Sequence, residues 1–152
     1  MEWMKRFRDD FDKATFDPKW YHPEFVYVTP DGIAHEGREK AIEELKALYG
    51  PLPGWHHEPF FMNCIDRDFG YEMIGKATLW ANLPGTPVAG ETKKKDANGK
   101  EWDFAVPGTF RFHYVKDAND FSLTRCEITA DRTPLLLGMV KRGVVSTKEL
   151  GI

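Results

Sequence analysis

Hydrophobic positions in the first third of the chain recur every three or four residues in two segments, as they do on one face of a helix. The second segment runs from Gly37 to Gly50, where Gly50 is a candidate C-cap and Pro51 prevents continuation of the helix. Its apolar stripe is Ala41, Ile42, Leu45, Leu48 and Tyr49. The first segment is a short amphipathic helix that ends before Asp17-Pro18, with the apolar face Trp3, Met4, Phe7 and Phe11.

Strand-like segments account for most of the remaining chain. Tyr21–Gly32 is rich in aromatic and β-branched residues and closes on a Pro-Asp-Gly turn, which predicts a strand between the two helices. Four longer strands are predicted at Trp55–Ile65, Tyr71–Leu83, Lys100–Lys116 and Phe121–Asp131. Residues 66–70 and 117–120 suit hairpin turns, whereas Pro84–Gly99 predicts an exposed hairpin excursion. Thr133–Lys141 is predicted to form a C-terminal helical turn.

Helices followed by an antiparallel meander indicate the α+β class. At 152 residues the chain is expected to form one domain, spanning residues 1–152. A sheet this long must curl around its few helices to bury one face. That curvature predicts a cone-shaped pocket between sheet and helices.

Composition narrows the function classes. Apolar residues make up 41 % and aromatic residues 14 %, so the chain is globular and has enough rings to line a cavity for an apolar ligand. A net charge of −3 argues against nucleic acid and anionic membranes as partners. Cys64 and Cys126, without a disulfide framework, are expected to be core residues. Together with the charged N-terminal segment, they predict a cytoplasmic protein.

The segment Gly54–Phe61, GWHHEPFF, holds two adjacent histidines and a glutamate. On a strand, His56 and His57 point to opposite faces, so the two rings do not form a metal pair. His56 shares its face with Glu58, and His57 shares the other with Trp55. One histidine is therefore expected to point inward as an acid–base candidate.

The predicted final hairpin has one charged and one aromatic face. Folding it about Asn119 places Arg111 opposite Glu127, His113 opposite Arg125 and Val115 opposite Leu123. The aromatic face consists of Phe110, Phe112 and Tyr114. Two interpretations are open: the charged face is solvated, with a weak ion pair between Arg111 and Glu127, or it lines the pocket.

The chain resembles the NTF2-like superfamily, and in particular its SnoaL-like branch. The resemblance lies in Tyr21–Gly32, in the segment His35–Leu48 with its Gly-Arg-Glu helix start, and in the last strand Phe121–Asp131, with an acidic residue at its end. It implies a cone-shaped α+β fold, an internal pocket and dimers formed through the outer sheet face. It also favours the pocket interpretation of the hairpin, which would leave the three aromatic residues outside as a dimer contact.

The resemblance to the cyclase and scytalone dehydratase branch implies a function, an acid–base histidine at the position of His57 and a final hairpin whose charged face points inward; the other candidate site residues are chosen from their side-chain chemistry. The expected catalytic residues are Glu127, His57, His113 and Arg111. The expected substrate-binding residues are Arg125, Asp103, Arg38, Trp55, Trp80 and Trp102. The implied function is acid–base proton transfer (isomerisation, cyclisation or dehydration) on a small, apolar, carbonyl-bearing metabolite of secondary metabolism, without cofactor or metal. The alternative is a non-catalytic ligand-binding or protein-interaction module.

Overall fold

A computed structural model describes residues 2–117, 120–149 and 151 of the chain. The helices are α1 (Glu2–Phe11), α2 (Arg38–Tyr49) and α3 (Thr133–Lys141), with a short 3₁₀ helix at Pro18–Trp20. The strands are β1 (Tyr21–Val28), β2 (Ala34–Glu36), β3 (Trp55–Arg67), β4 (Gly70–Ala81), β5 (Lys94–Lys95), β6 (Glu101–Trp102), β7 (Phe104–Asp117) and β8 (Asp120–Ala130). In this described part, no helix combines the length and the apolar character that crossing a bilayer requires.

Six strands form one sheet in the order β2-β1-β8-β7-β4-β3, and β5 and β6 form a separate two-stranded ribbon. The predicted α+β class and the meander from β3 to β8 are confirmed. The sheet is mixed, because β1 pairs in parallel with β8, whereas all other adjacent strands of the sheet pair antiparallel. The predicted strand Lys100–Lys116 is interrupted at Asp103, which separates β6 from β7.

The register of the β7–β8 hairpin agrees with the sequence prediction over its first part. Arg111 pairs with Glu127 and His113 pairs with Arg125. Beyond that point a bulge at Thr124, whose hydroxyl donates to the carbonyl of His113, moves Leu123 opposite Tyr114. The predicted pairing of Val115 with Leu123 is therefore wrong. Asn119, about which the hairpin was expected to fold, lies outside the described residues.

Aromatic rings join α1 to the inner face of the sheet. Phe7 packs edge-on against Phe112 at 6.4 Å between ring centroids, and Phe11 packs against Tyr49 of α2 at 5.0 Å. Trp3 makes a similar contact with Tyr114 at 5.1 Å. Helix α1 extends over nearly the same residues as its apolar stripe, in which Trp3, Phe7 and Phe11 are buried. Burial of these rings against the rest of the protein stabilises the helix.

A buried arginine anchors the segment that follows α3. The side chain of Arg142 is only 1 % exposed and pairs with Asp103 at 3.2 Å and with Glu91 at 2.5 Å. Asp103 also accepts from the backbone N–H of Leu83 and pairs with Lys93. Burial alone would raise the pKa of Asp103, but these hydrogen bonds outweigh it and lower the pKa. Asp103 was expected to bind substrate; its observed contacts are structural.

We expect Arg142→Met to lower the free energy of unfolding by about 3 kcal/mol, because it removes a buried guanidinium that pairs with both Asp103 and Glu91. Urea denaturation followed by circular dichroism measures the change. Lys141→Met is the matched control, since Lys141 is the exposed neighbouring cation. Equal stability of the two variants would contradict the anchoring role.

Candidate active site

A cavity of about 190 Å³ lies between α1, α2 and the concave inner face of the sheet. Its closed end is formed by Leu45, Tyr49, Leu123 and Cys126, all at most 3 % exposed. Phe110 forms part of the wall, and its ring lies directly over Gly75, where a Cβ atom would come within 2.4 Å of it. The predicted pocket is thus present, and its walls are overwhelmingly apolar.

Only one of the two cysteines is a core residue as predicted. Cys126 is buried, and burial raises the pKa of its thiol, so it is protonated at neutral pH. Cys64 is exposed near the far end of β3, so the prediction is wrong for this residue.

His57 is the histidine that lines the cavity, and it is held by an aspartate from another element. Its Nδ1 lies 2.6 Å from Oδ1 of Asp12, which directly follows α1, and its backbone N–H donates to Oδ2 of the same carboxylate at 3.0 Å. Because a carboxylate accepts and does not donate, Nδ1 carries the proton that this short contact requires. The Nε2 atom of His57 is then the basic nitrogen of the ring.

His56 binds the same carboxylate from the opposite face of the strand. Its Nδ1 lies 3.0 Å from Oδ2 of Asp12. This is possible because β3 is an edge strand, so Asp12 can sit beside its free edge and reach side chains on both faces. The two adjacent histidines are therefore linked by Asp12, whose carboxylate contacts both rings. Within the described residues, no group of three or more His, Cys, Asp and Glu side chains is placed to hold a metal ion.

Tyr49 completes a chain of hydrogen bonds that ends at the cavity wall. Its hydroxyl lies 3.1 Å from Nε2 of His57, and both residues line the cavity. Burial raises the pKa of Tyr49 well above its ordinary value, so the phenol is protonated at neutral pH and donates to Nε2. The chain of hydrogen bonds therefore runs from Tyr49 through His57 to Asp12.

The charged face of the β7–β8 hairpin lies on the outer side of the sheet. Arg111, His113, Arg125 and Glu127 are absent from the cavity wall, whereas Phe110 and Phe112 of the aromatic face line it. The expectation that the charged face points inward is therefore wrong. The physical reason is that the aromatic face buries far more apolar area against α1. The dimer contact expected from three exposed aromatic residues loses its basis, because these rings pack inside.

Glu72 of β4, which sequence reasoning did not single out, organises the outer charged face. Its side chain is 4 % exposed and accepts from Nε of Arg111 at 2.5 Å and from Nε of Arg67 at 2.6 Å. These two hydrogen bonds lower the pKa of Glu72 from 4.5 to about 2. The predicted pair of Arg111 and Glu127 is present but longer, at 3.6 Å, so Glu72 is the principal partner of Arg111.

Burial, followed by the nearby positive charge of Arg111, lowers the pKa of His113. Glu127 accepts from Nε of Arg125 at 2.5 Å. The four predicted residues of this hairpin therefore do come together, but in an ion-pair network away from the cavity.

The remaining predicted binding residues are also outside the cavity wall. Trp80 donates to Glu58 at 2.8 Å, and Trp102 donates to Asp96 at 2.9 Å. Trp55 is buried in the aromatic core beside Phe11 and Tyr49. Arg38 is the first residue of α2.

Solved structures with the same architecture provide the comparison. A SnoaL-like, polyketide cyclase-like protein from Jannaschia sp. CCS1 matches with a TM-score of 0.61 and 18 % identity, over 90 % of this chain and 88 % of that one. A scytalone dehydratase-like protein from Novosphingobium aromaticivorans matches with a TM-score of 0.63 and 9 % identity, over 84 % and 78 % of the two chains. The fold is the NTF2-like cone.

A protein from Catenulispora acidiphila, solved in complex with S-DNPA, matches with a TM-score of 0.58 and 15 % identity, over 88 % of this chain and 91 % of that one. Neither a protein-family model nor a curated protein sequence matches the chain. At these identities the likeness establishes the fold, and the chemistry has to be argued from the side chains.

We expect Glu72→Gln to flatten the acid dependence of stability. The folded-state pKa of Glu72 lies below its ordinary value, so its ionised form stabilises the fold above pH 4.5, and this contribution is lost as the pH falls toward about 2. Thermal unfolding measured at steps from pH 6 to pH 2.5 tests this. The matched control is Glu101→Gln, which removes an exposed carboxylate. A Glu72→Gln curve parallel to the wild-type curve would refute the assignment.

Proposed function

We propose that this protein is an enzyme of acid–base proton transfer, with His57 as the base and Asp12 and Tyr49 as its partners. The observation that carries the proposal is the continuous hydrogen-bond chain from Asp12 through His57 to Tyr49, which ends in an apolar cavity. A histidine with its tautomer set by a carboxylate is suited to take and return a proton near neutral pH.

The chain of contacts defines a route for the proton. Tyr49 transfers its own proton to Nε2 of His57 while its oxygen takes a proton from the substrate. The electron pair of the broken C–H bond stays on the substrate as an enolate, and His57 becomes an imidazolium that Asp12 stabilises. Tyr49 is neutral before and after this step. The reverse transfer, to a different atom of the substrate, completes an isomerisation or the loss of a hydroxyl group as water.

The size of the cavity limits the substrate. A dry cavity of roughly 150 Å³ accommodates benzene, so about 190 Å³ suits one substituted ring. This favours isomerisation or dehydration of a one-ring carbonyl compound over cyclisation of a long chain. The Catenulispora neighbour with its bound S-DNPA supports a small-molecule ligand for this fold. A setting in secondary metabolism stays a prediction from the family resemblance.

A second candidate is a carrier that binds a small apolar ligand without changing it. The apolar wall and the placement of the hairpin charges on the outer face favour this alternative. The two candidates differ in whether protons of a bound compound exchange with the solvent.

The first test is hydrogen–deuterium exchange in D₂O, followed by NMR, on a panel of one-ring ketones and enones. We expect the wild type to accelerate exchange next to the carbonyl group, and His57→Gln to reduce the rate about 100-fold or more, because it removes the base. Binding of a panel compound without exchange in the wild type would instead identify a carrier.

Two variants test whether hydrogen–deuterium exchange depends on residues outside the cavity wall. His56→Gln is the matched control, because His56 binds the same carboxylate but is not part of the cavity wall. Glu127→Gln tests the residue that sequence reasoning favoured. We expect both to retain wild-type exchange within about threefold, which is below the smallest contribution of a general base. A loss with Glu127→Gln and retention with His57→Gln would overturn the proposal.

The proton relay is tested with Tyr49→Phe. We expect this variant to bind the same compounds but to lose exchange by about 100-fold, since the phenyl ring cannot pass a proton to Nε2. Parallel measurement of affinity by calorimetry separates binding from chemistry. Retained exchange would mean that Nε2 acts on the substrate directly and that Tyr49 only orients the ring.

A further inference from the structure

Positive charge lines the mouth of the cavity without a compensating carboxylate in the wall. Among the described residues that line it, the charged ones are Lys5 and Arg8 of α1. Their side chains are 63 % and 33 % exposed, and Met62, which also lines the cavity, is 42 % exposed. The cavity is therefore accessible from solvent at these residues, whereas Leu45, Leu123 and Cys126 in its wall are buried.

Lys5 and Arg8 lie on the same helical face as Asp12, the aspartate that binds His57. Lys5, Arg8 and Asp12 are spaced by three and four residues, which places them on one face of a helix. The backbone N–H of Asp12 donates to the carbonyl of Arg8 at 2.8 Å, so the helical spacing extends to Asp12. With a rise of about 1.5 Å per residue, Arg8 lies about 6 Å and Lys5 about 10 Å along the axis from Asp12.

The existing partners of these cations are weak competitors for a ligand. Lys5 lies 3.8 Å from exposed Glu2, and Arg8 pairs with its neighbour Asp9 through Nε and Nη2. Exposed pairs of this kind contribute little free energy. The Nη1 edge of Arg8 has no hydrogen-bond partner among the described residues, and a carboxylate there would gain a charge-assisted hydrogen bond.

We propose that the natural ligand is a small one-ring carboxylic acid whose carboxylate binds Arg8, with Lys5 as a second cation. The ring occupies the apolar cavity, and the acid group remains at the mouth. The inference rests on the proposed function only in placing the other end of the ligand near His57. Arg8 is a specificity-determining residue in this arrangement.

The test uses two probes of matched shape, 3-phenylpropanoate and 3-phenylpropanamide, with binding measured by calorimetry at low salt. We expect the wild type to bind the acid about tenfold more tightly than the amide. Arg8→Gln should remove most of that preference by weakening acid binding, leave amide binding within twofold and reduce the salt dependence of acid binding. Lys13→Gln, which removes an exposed cation outside the cavity wall, should change neither affinity.

The inference is overturned if the acid binds no better than the amide, including the case in which neither binds, or if Arg8→Gln weakens both equally. It is also overturned if Arg8→Gln slows exchange but leaves acid binding intact, since Arg8 would then stabilise the enolate. Because binding needs no turnover, the two binding results are independent of the exchange test of His57. Circular dichroism of each variant confirms that it is folded.

Discussion

The contact between Asp12 and the edge strand β3 determines most of the geometry of the site. One carboxylate accepts from Nδ1 of His56, from Nδ1 of His57 and from a backbone N–H that has no neighbouring strand to bind. It thereby fastens the end of α1 to the sheet and sets the tautomer of His57. Because the same helix carries Arg8, this contact also fixes the distance between the basic nitrogen and the mouth of the cavity.

The free energy of burying apolar side chains determines which face of the sheet points inward. Phe110 and Phe112 pack toward α1 and form the cavity wall, while the alternate residues of β7 are left outside. On that outer face Glu72 gathers the arginines into a network of hydrogen-bonded ion pairs. The polar cluster that looked most like a catalytic site in the sequence is therefore a surface network, and the catalytic candidate is a single histidine in an apolar wall.

Local patterns were sufficient to predict the elements and part of the register. The stripe of α2, the strand β1 and the pairing of Arg111 with Glu127 all follow from spacing and turn residues. The bulge at Thr124 could not be predicted, because strict alternation gives no sign of one extra residue. Asp12 could not be selected either, since nothing in its neighbours distinguishes it from Asp9, Asp10 or Asp17.

The amino-acid sequence by itself determined which segments become helices and strands, which residues alternate on each strand, and that a curled sheet leaves a cavity. The tertiary structure alone decided which face looks inward and which carboxylate reaches His57. The alternation of side chains along a strand separates two faces but does not show which of them is buried. Only packing against another element makes one face the interior. Likewise, a hydrogen bond between residues 45 positions apart depends on where the chain places both ends, and no local preference encodes that.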